Sequence, residues 1–335
     1  MADKLRGLAP DGRRTTPFKF VHHLPLVVDV TPTGRGSTAA AGARLDEMFM
    51  ATTHAKFYSA INAVGVAPCI VGKSNMFRRA HLDRLTDPAR NPVLRPADAA
   101  RGRGLDFFSS YICEDHLIGD LLWRSRLPGY RNHALVAGDL AVQPMAGTSA
   151  AAYVARRVRW LRVRKWTVLL ATLVEPGVEP LLCCFYFAFA VTSLPAASEF
   201  LGTRQTWGAL GLYWLSAVLV WMGADWFTSR KLHAFQSVEA DEHTPDFARG
   251  FGRKGGIARK PLGQWLAAWI GRELLTLPIW TWAVLLGTTV TWRGRRFRVR
   301  MDMSVVEIHE KRGATRGSAG GIPVALPLNG KHRLD

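Results

Sequence analysis

Glu114 and Asp115 stand side by side in the stretch YICEDHLIGD. Leu117, Ile118, Leu121 and Leu122 follow at helical spacing, which predicts a helix starting at the two carboxylates. A carboxylate so placed can take the proton of an attacking hydroxyl, provided it is ionised at the working pH. The positive end of the helix favours that anion, and the adjacent carboxylate opposes it. The pair also has an ordinary reading, charge complementarity at a solvated helix start. Farther on, the segment RRVRW puts Arg156, Arg159 and Trp160 on one helical face by i, i+3 and i+4 spacing. Two guanidiniums and an indole there can cradle a diphosphate and stack on a ring. The same residues equally suit a basic membrane-anchoring helix with an interfacial Trp.

The elements that must hold these residues are read next. Phe18 to Val30 has strand character with a Pro break, and Leu45 to Ala63 reads as largely helical. GVAPCIVGKSNMFRR reads as a buried strand entering a turn and a helix, and residues 84–104 as a solvent-exposed insertion. YRNHALVAGDLAVQP reads as another strand. Strands alternating with helices predict a cytosolic α/β domain over 17–165, preceded by a disordered segment, 1–16. Residues 31–44 read as a flexible loop, and 311–335 as a disordered tail.

The chain is 48% hydrophobic and carries 12 Trp, yet its formal net charge is +18. Its apolar residues come in blocks. Trp166–Leu194 and Trp207–Phe227 are each long enough to cross a bilayer, which takes roughly 20 apolar residues. A short, nearly neutral linker joins them and basic flanks bracket them, so 166–228 reads as a transmembrane hairpin with its flanks cytosolic. The basic excess then serves the anionic leaflet. No nucleic-acid motif accompanies it, and the aromatics sit in the apolar blocks instead.

A polar, Gly-rich loop is expected over 229–263, and interfacial or membrane helices with a basic segment over 264–310. Arg272 and Glu273 favour a helix lying in the interface. IWTWAVLLGTTVTW is short for a span, so a re-entrant or interfacial segment is favoured over a third crossing. Cys69, Cys113, Cys183 and Cys184 show no metal spacing and are expected as reduced, buried thiols. Residues 1–20 hold no apolar core of a signal peptide. Gly72-Lys73-Ser74 resembles the end of a P-loop, but position 67, where the first Gly belongs, is Ala.

The order of an ED pair, then R-x-x-R-W, then membrane helices resembles the membrane-bound inverting glycosyltransferases with a GT-A core. Further stretches resemble the ceramide glucosyltransferase family in particular: VHHLP (21–25), HAKFYSAINAVGVAPCIVGKSNMFRR (54–79), YICEDHLIGD, VARRVRW, LVEPGVEP (173–180), WMGADW (221–226), GRELLTLP (271–278) and TWRGRRFRVR (291–300). The resemblance implies transfer of glucose from UDP-glucose to the primary hydroxyl of ceramide, with inversion, on the cytosolic face of a Golgi or ER membrane. Asp115 matches the catalytic base, with Glu114 tuning or orienting it. Arg156, Arg159 and Trp160 match the motif that holds the leaving UDP and the acceptor. His22 matches a histidine near the active site, His23 stands where the family tends to have Gly, and Gly72 would let the backbone approach the acceptor. Glu175 and Glu179 are expected to shape the lipid entrance; a wet, interfacial location is the competing account. Asp225 is expected at the interface.

One departure stands out. The family implies a divalent metal, Mg or Mn, held with a D-x-D element, and no Asp-x-Asp occurs in this sequence. Asp29 lies after the place where that element belongs. The chain therefore reads as a partial GT-A-like domain, the acceptor half, followed by helical membrane segments, and it is expected not to turn over alone. The sequence assigns no metal ligand of its own. Two other classes stay open. A processive polysaccharide synthase would share Asp115 and the R-x-x-R-W pattern but normally has more spans. A non-catalytic membrane-anchored remnant or subunit would bind lipid without nucleotide.

Overall fold

The computed structural model describes residues 1–32 and 41–309. Most of the loop expected at 31–44, and the tail expected at 311–335, lie outside the described residues.

The N-terminal part is built on a three-stranded sheet of order β2-β1-β3. The central strand β1 (Phe18–Asp29) runs antiparallel to β2 (Asn75–Phe77) and parallel to β3 (Arg131–Met145). Nearly all of it is buried, Lys19, His22 and Asp29 included, because both faces of the central strand are covered. Pro25 does not break it. The register shifts between His22 and Leu24, just before the ring that can donate no N–H, and pairing then resumes. A parallel partner needs a crossover, and the intervening chain supplies it with helices.

A short α1 (Ala2–Arg6) precedes the sheet, and the crossover begins with α2 (Ala41–Phe49) and α3 (Ala55–Val64), which are joined through a π-helical turn at Met50–His54. Next come α4 (Arg79–Leu85) and α5 (Glu114–Arg124). One face of the sheet packs Phe20 against Leu82, Phe108, Ile118 and Leu122. Elsewhere Val27 packs with Phe49, Tyr153 and Leu161, the last two from α6 (Ala150–Arg164). The side chain of Ser149 accepts the Ala152 N–H at 3.2 Å and caps α6.

Three cytosolic expectations are corrected. Residues 1–16 are not featureless: α1 buries Leu5, and Leu8 bridges Arg14. Residues 66–71 form no strand; the strand falls at 75–77, because Asn62 takes the Cys69 N–H and C=O and spends that backbone on a loop. The 84–104 segment is partly core. Asn91 is buried and donates to the Leu85 carbonyl at 2.7 Å and the Ser125 hydroxyl at 2.9 Å.

The first apolar block is not one straight helix. It divides into α7 (Leu169–Val174), continued by a 3-10 turn at Glu175–Val178, and α8 (Pro180–Ser193), with a bend of 70° at Glu179. Pro176 and Pro180 remove backbone donors there. A short α9 (Pro195–Leu201) leads to α10 (Trp207–His233), capped by Thr206 and ending in basic residues. Among the described residues α10 is the one helix long and apolar enough to cross a membrane, with a second if the bent pair counts as one span. Its last turns reach into the expected 229–263 loop, where Phe235 is buried against Leu26 and Val28.

The expected interfacial helix and the short segment after it form α11 (Leu262–Trp280) and a π-helical end at Thr281–Leu285. Arg272 and Glu273, expected at an interface, are buried instead at 1% and 5% exposure. The basic segment is a small antiparallel sheet of β4 (Thr289–Trp292), β5 (Arg295–Val299) and β6 (Val305–Glu307). Val290 and Val299 pack with Cys113 and Val163, so this sheet buttresses the start of α5. All four cysteines are free.

Candidate active site

Asp115 lies in the first turn of α5, as the spacing predicted, with Glu114 exposed beside it. The loop before β2 brings Gly72 against it. A Cβ on Gly72 would meet Asp115 Oδ2 at 3.0 Å and its Cβ and Cγ at 3.2 Å. The glycine therefore lets backbone approach the carboxylate itself. Burial raises the Asp115 pKa to about 6, and Glu114 adds to the rise. Hydrogen bonding from the backbone of His116 and Gly72 works against it. The two opposing influences left open by the sequence resolve toward a carboxyl poised near neutrality.

Gly72→Ala follows as a test. The added methyl must displace Asp115 by a few tenths of an ångström, so kcat is expected to fall about tenfold, about 1.4 kcal/mol in the barrier, with little change in unfolding midpoint. Wild-type kcat in this variant would remove the positioning role.

Across from Asp115, α6 presents the R-x-x-R-W residues. Arg156 lies 3.1 Å from Asp46 of α2 and packs over the Trp160 ring at 5.1 Å. Asp46 is fully buried; burial raises its pKa, while Arg156, Arg157 and Lys73 lower it. Burial, then Arg156, lowers the Arg159 pKa. Lys73 completes the cluster. Desolvation lowers its pKa first and Arg156 next, while Asp46 and Asp115 raise it. Lys73 thus links the two sides, feeling Asp115 as well as Asp46, Arg156 and Arg159. Arg156 Nη2 and Asp46 Oδ1 are buried without hydrogen-bond partners, a donor and an acceptor left for something else to meet.

His22 is completely buried beneath this region. Its Nδ1 and the Tyr58 hydroxyl are 2.5 Å apart, and it stacks on His133 with centroids 5.4 Å apart. Burial lowers its pKa to about 3, with His133 and His23 adding, so it stays neutral. Burial also pushes the Tyr58 hydroxyl up, and Asp115 contributes to that rise. His22 is therefore linked to the site through Tyr58. His23 instead pairs with exposed Asp139 at 3.2 Å and Ser74 at 2.9 Å.

Glu175 and Glu179 lie at the bend between α7 and α8, and both are ion-paired. Glu175 sits 3.6 Å from Arg157 and also bonds Arg164. Glu179 pairs with Arg272 at 3.2 Å and accepts the Thr53 hydroxyl at 3.1 Å. They tie the bent pair to α6, α11 and Thr53. Asp225 is fully buried, bonded to Lys56 at 2.5 Å and to the Trp269 indole at 2.9 Å.

Sequence reasoning missed Lys73, Asp46 and Tyr58 as members of this cluster. Lys73 was visible only as part of a failed P-loop match. Asp46 carried no local signal, since its role depends on α2 facing α6. Among the described residues no group of three or more His, Cys, Asp and Glu side chains could hold a metal ion. Asp46 is engaged by Arg156 and Asp115 by backbone amides, so these carboxylates do not fit a divalent cation.

Comparison with known proteins gives the family. A family model described as glycosyl transferase family 21 matches residues 90–305. The chain is 61% identical to a ceramide glucosyltransferase of Pyricularia oryzae, covering 92% of this chain and 62% of that protein. It is 45% identical to one of Gibberella zeae, covering 100% of this chain and 69% of that protein. A third, from Komagataella phaffii, is 37% identical over 91% of this chain and 62% of that protein. The chain thus spans 62–69% of the length of these relatives. No solved structure matches. The chain belongs to glycosyl transferase family 21, the ceramide glucosyltransferase family.

Proposed function

We propose that this chain carries the acceptor-side chemistry of a transferase that moves glucose from UDP-glucose to the primary hydroxyl of ceramide, with inversion. The observation that carries this reading is Asp115, held near a pKa of 6 against Gly72 and facing a cluster of cations. Ionised Asp115 takes the proton of the ceramide hydroxyl as its oxygen attacks the anomeric carbon. The bond from that carbon to the diphosphate breaks, and UDP leaves with the electron pair. Lys73, Arg156 and Arg159 meet the negative charge growing on the diphosphate, as pre-placed cations do in a transition state. Glu114 holds the Asp115 pKa up, and Trp160 stacks beneath Arg156 to fix its guanidinium.

The helix α10, with the bent α7–α8 pair, reads as the membrane part. Exposed Phe185, Phe187 and Phe189 of α8 and Leu215, Leu219 and Val220 of α10 offer an apolar surface to lipid. The basic end of α10 belongs on the cytosolic side, in the Golgi or ER membrane where the resemblance puts the reaction. Glu175 and Glu179 then stand at the bend where the lipid acceptor would enter.

The reading is tested by ceramide-dependent release of UDP from UDP-glucose in the protein's native membranes; the purified chain by itself is expected to show no turnover. kcat/KM is expected to rise with pH through an apparent pKa near 6, because only the ionised carboxyl accepts the proton. A flat profile between about pH 5 and 8 would remove Asp115 as the base. Lys73→Ala is expected to raise KM for UDP-glucose about tenfold, about 1.4 kcal/mol of binding, and to leave the acid limb in place. An unchanged KM would take Lys73 out of the diphosphate site.

A further inference from the structure

Behind α2, on the side away from Asp115, lies a cavity of about 300 Å³. Its walls come from α2, the last turns of α10, the segment leading into α11 and the first turns of α11. Neither Asp115, Gly72 nor any of Arg156, Arg159 and Trp160 lines it. Helix α2 separates the two places: Asp46 meets Arg156, and the next residue, Glu47, faces the cavity.

The carboxylates at this cavity are already matched. Lys260 lies 2.6 Å from Glu47 and 3.0 Å from Asp29, and Arg44 lies 3.6 Å from Asp29. His233 Nε2 sits 3.1 Å from the Val27 carbonyl and 3.8 Å from Glu47. Arg230 and Arg259 line the same cavity, and among the described residues neither has a carboxylate partner. Both guanidiniums are solvent-exposed, and that of Arg230 lies over the Trp226 ring at 5.4 Å. On the same wall, Trp226 meets Trp265 edge to face with centroids 5.0 Å apart. Trp265 is 9% exposed, and its indole N–H is buried with no acceptor. The cavity thus has two unneutralised guanidiniums, an orphaned donor and an aromatic wall, which together ask for an anion on an apolar body.

Position narrows the ligand. The cavity sits at the basic end of α10, the cytosolic interface if α10 spans as proposed above. Exposed Phe227 and Leu262 flank it, at 62% and 55% exposure. Its volume is at the lower end for ligand pockets, enough for a headgroup with acyl chains lying outside over those two side chains. We propose that this cavity binds the phosphate headgroup of an anionic phospholipid, with Arg230 and Arg259 on the phosphate and Trp226 and Trp265 against the glycerol.

The test titrates the detergent-solubilised chain with short-chain phosphatidic acid, short-chain phosphatidylcholine and inorganic phosphate, each without UDP-glucose or ceramide. Phosphatidic acid is expected to bind at least tenfold tighter than either of the others. Arg230→Gln combined with Arg259→Gln should weaken it at least tenfold and leave phosphatidylcholine unchanged. Ala268→Phe fills the cavity while keeping both guanidiniums, and should abolish binding with the unfolding midpoint retained. Equal affinity for phosphatidylcholine, or unchanged phosphatidic acid affinity in both variants, overturns the proposal. Inorganic phosphate binding as tightly as phosphatidic acid overturns the lipid assignment. Asp115→Asn is expected to bind phosphatidic acid as the wild type does, so the failure of the catalytic reading would leave this result standing.

Discussion

Asp115→Asn is expected to lower ceramide-dependent UDP release by roughly 10²–10⁴-fold, the usual contribution of a general base, while making the protein more stable at neutral pH. Both effects come from one cause. Burial, chiefly, raises this carboxyl from the ordinary value of 3.8 to about 6. The folded state therefore holds the proton more tightly than the unfolded chain. The resulting penalty is absent below about pH 4, grows as pH rises, and is complete above about pH 6. An amide carries no charge to desolvate, so the variant is expected to gain up to about 3 kcal/mol at pH 7, and almost nothing at pH 4. Unfolding midpoints of the two proteins at both pH values measure this. Equal midpoints at pH 7, or undiminished turnover, would contradict the role given to Asp115. A site that sacrifices stability for a usable proton acceptor behaves this way.

The second large effect is structural. Arg272→Ala is expected to destabilise the protein by about 3–5 kcal/mol. The Arg272 side chain is fully buried and holds three groups together. It pairs with Glu179 at 3.2 Å, donates to the Thr53 hydroxyl at 2.5 Å and bonds the buried carboxylate of Glu273. Its removal strands two carboxylates with no counter-charge, at the bend where α8 meets the π-helical turn and α11. Unfolding midpoints in detergent provide the measure, and Arg272→Ala combined with Glu179→Gln should recover part of the loss. A single-variant cost below about 1 kcal/mol would mean water reaches the site and the pair is not buried in solution. Thr53 precedes His54, whose ring packs 5.2 Å from Tyr58. The same substitution is therefore expected to lower activity along with stability.

How legible this was in the sequence differs from element to element. The start of α5 was read correctly because an apolar stripe and two acids at a helix start are local signals. The R-x-x-R-W face of α6 was read for the same reason, since helical spacing alone puts Arg156 and Trp160 together. Arg272 and Glu273 misled. A charged pair inside an apolar helix looks like a polar stripe facing water, and only the approach of Glu179 and Thr53 shows that the charges are matched inside the protein. The basic run at 293–300 misled in the same way. Its charges suggested a flank, whereas alternate residues Phe297 and Val299 turn inward to pack a sheet beneath Cys113.

The sequence by itself determined the chemistry available: a carboxylate pair, an arginine–tryptophan motif, long apolar blocks and the likeness to a family. Residue type and short-range spacing carry that information. Tertiary structure alone decided which charges act together. Lys73, Asp46 and Arg156 come from segments far apart in the chain, and Asp115 gains its raised pKa from burial that no neighbouring residue encodes. Electrostatics depends on distance and on the exclusion of water, and both are set only when the helices close over the sheet.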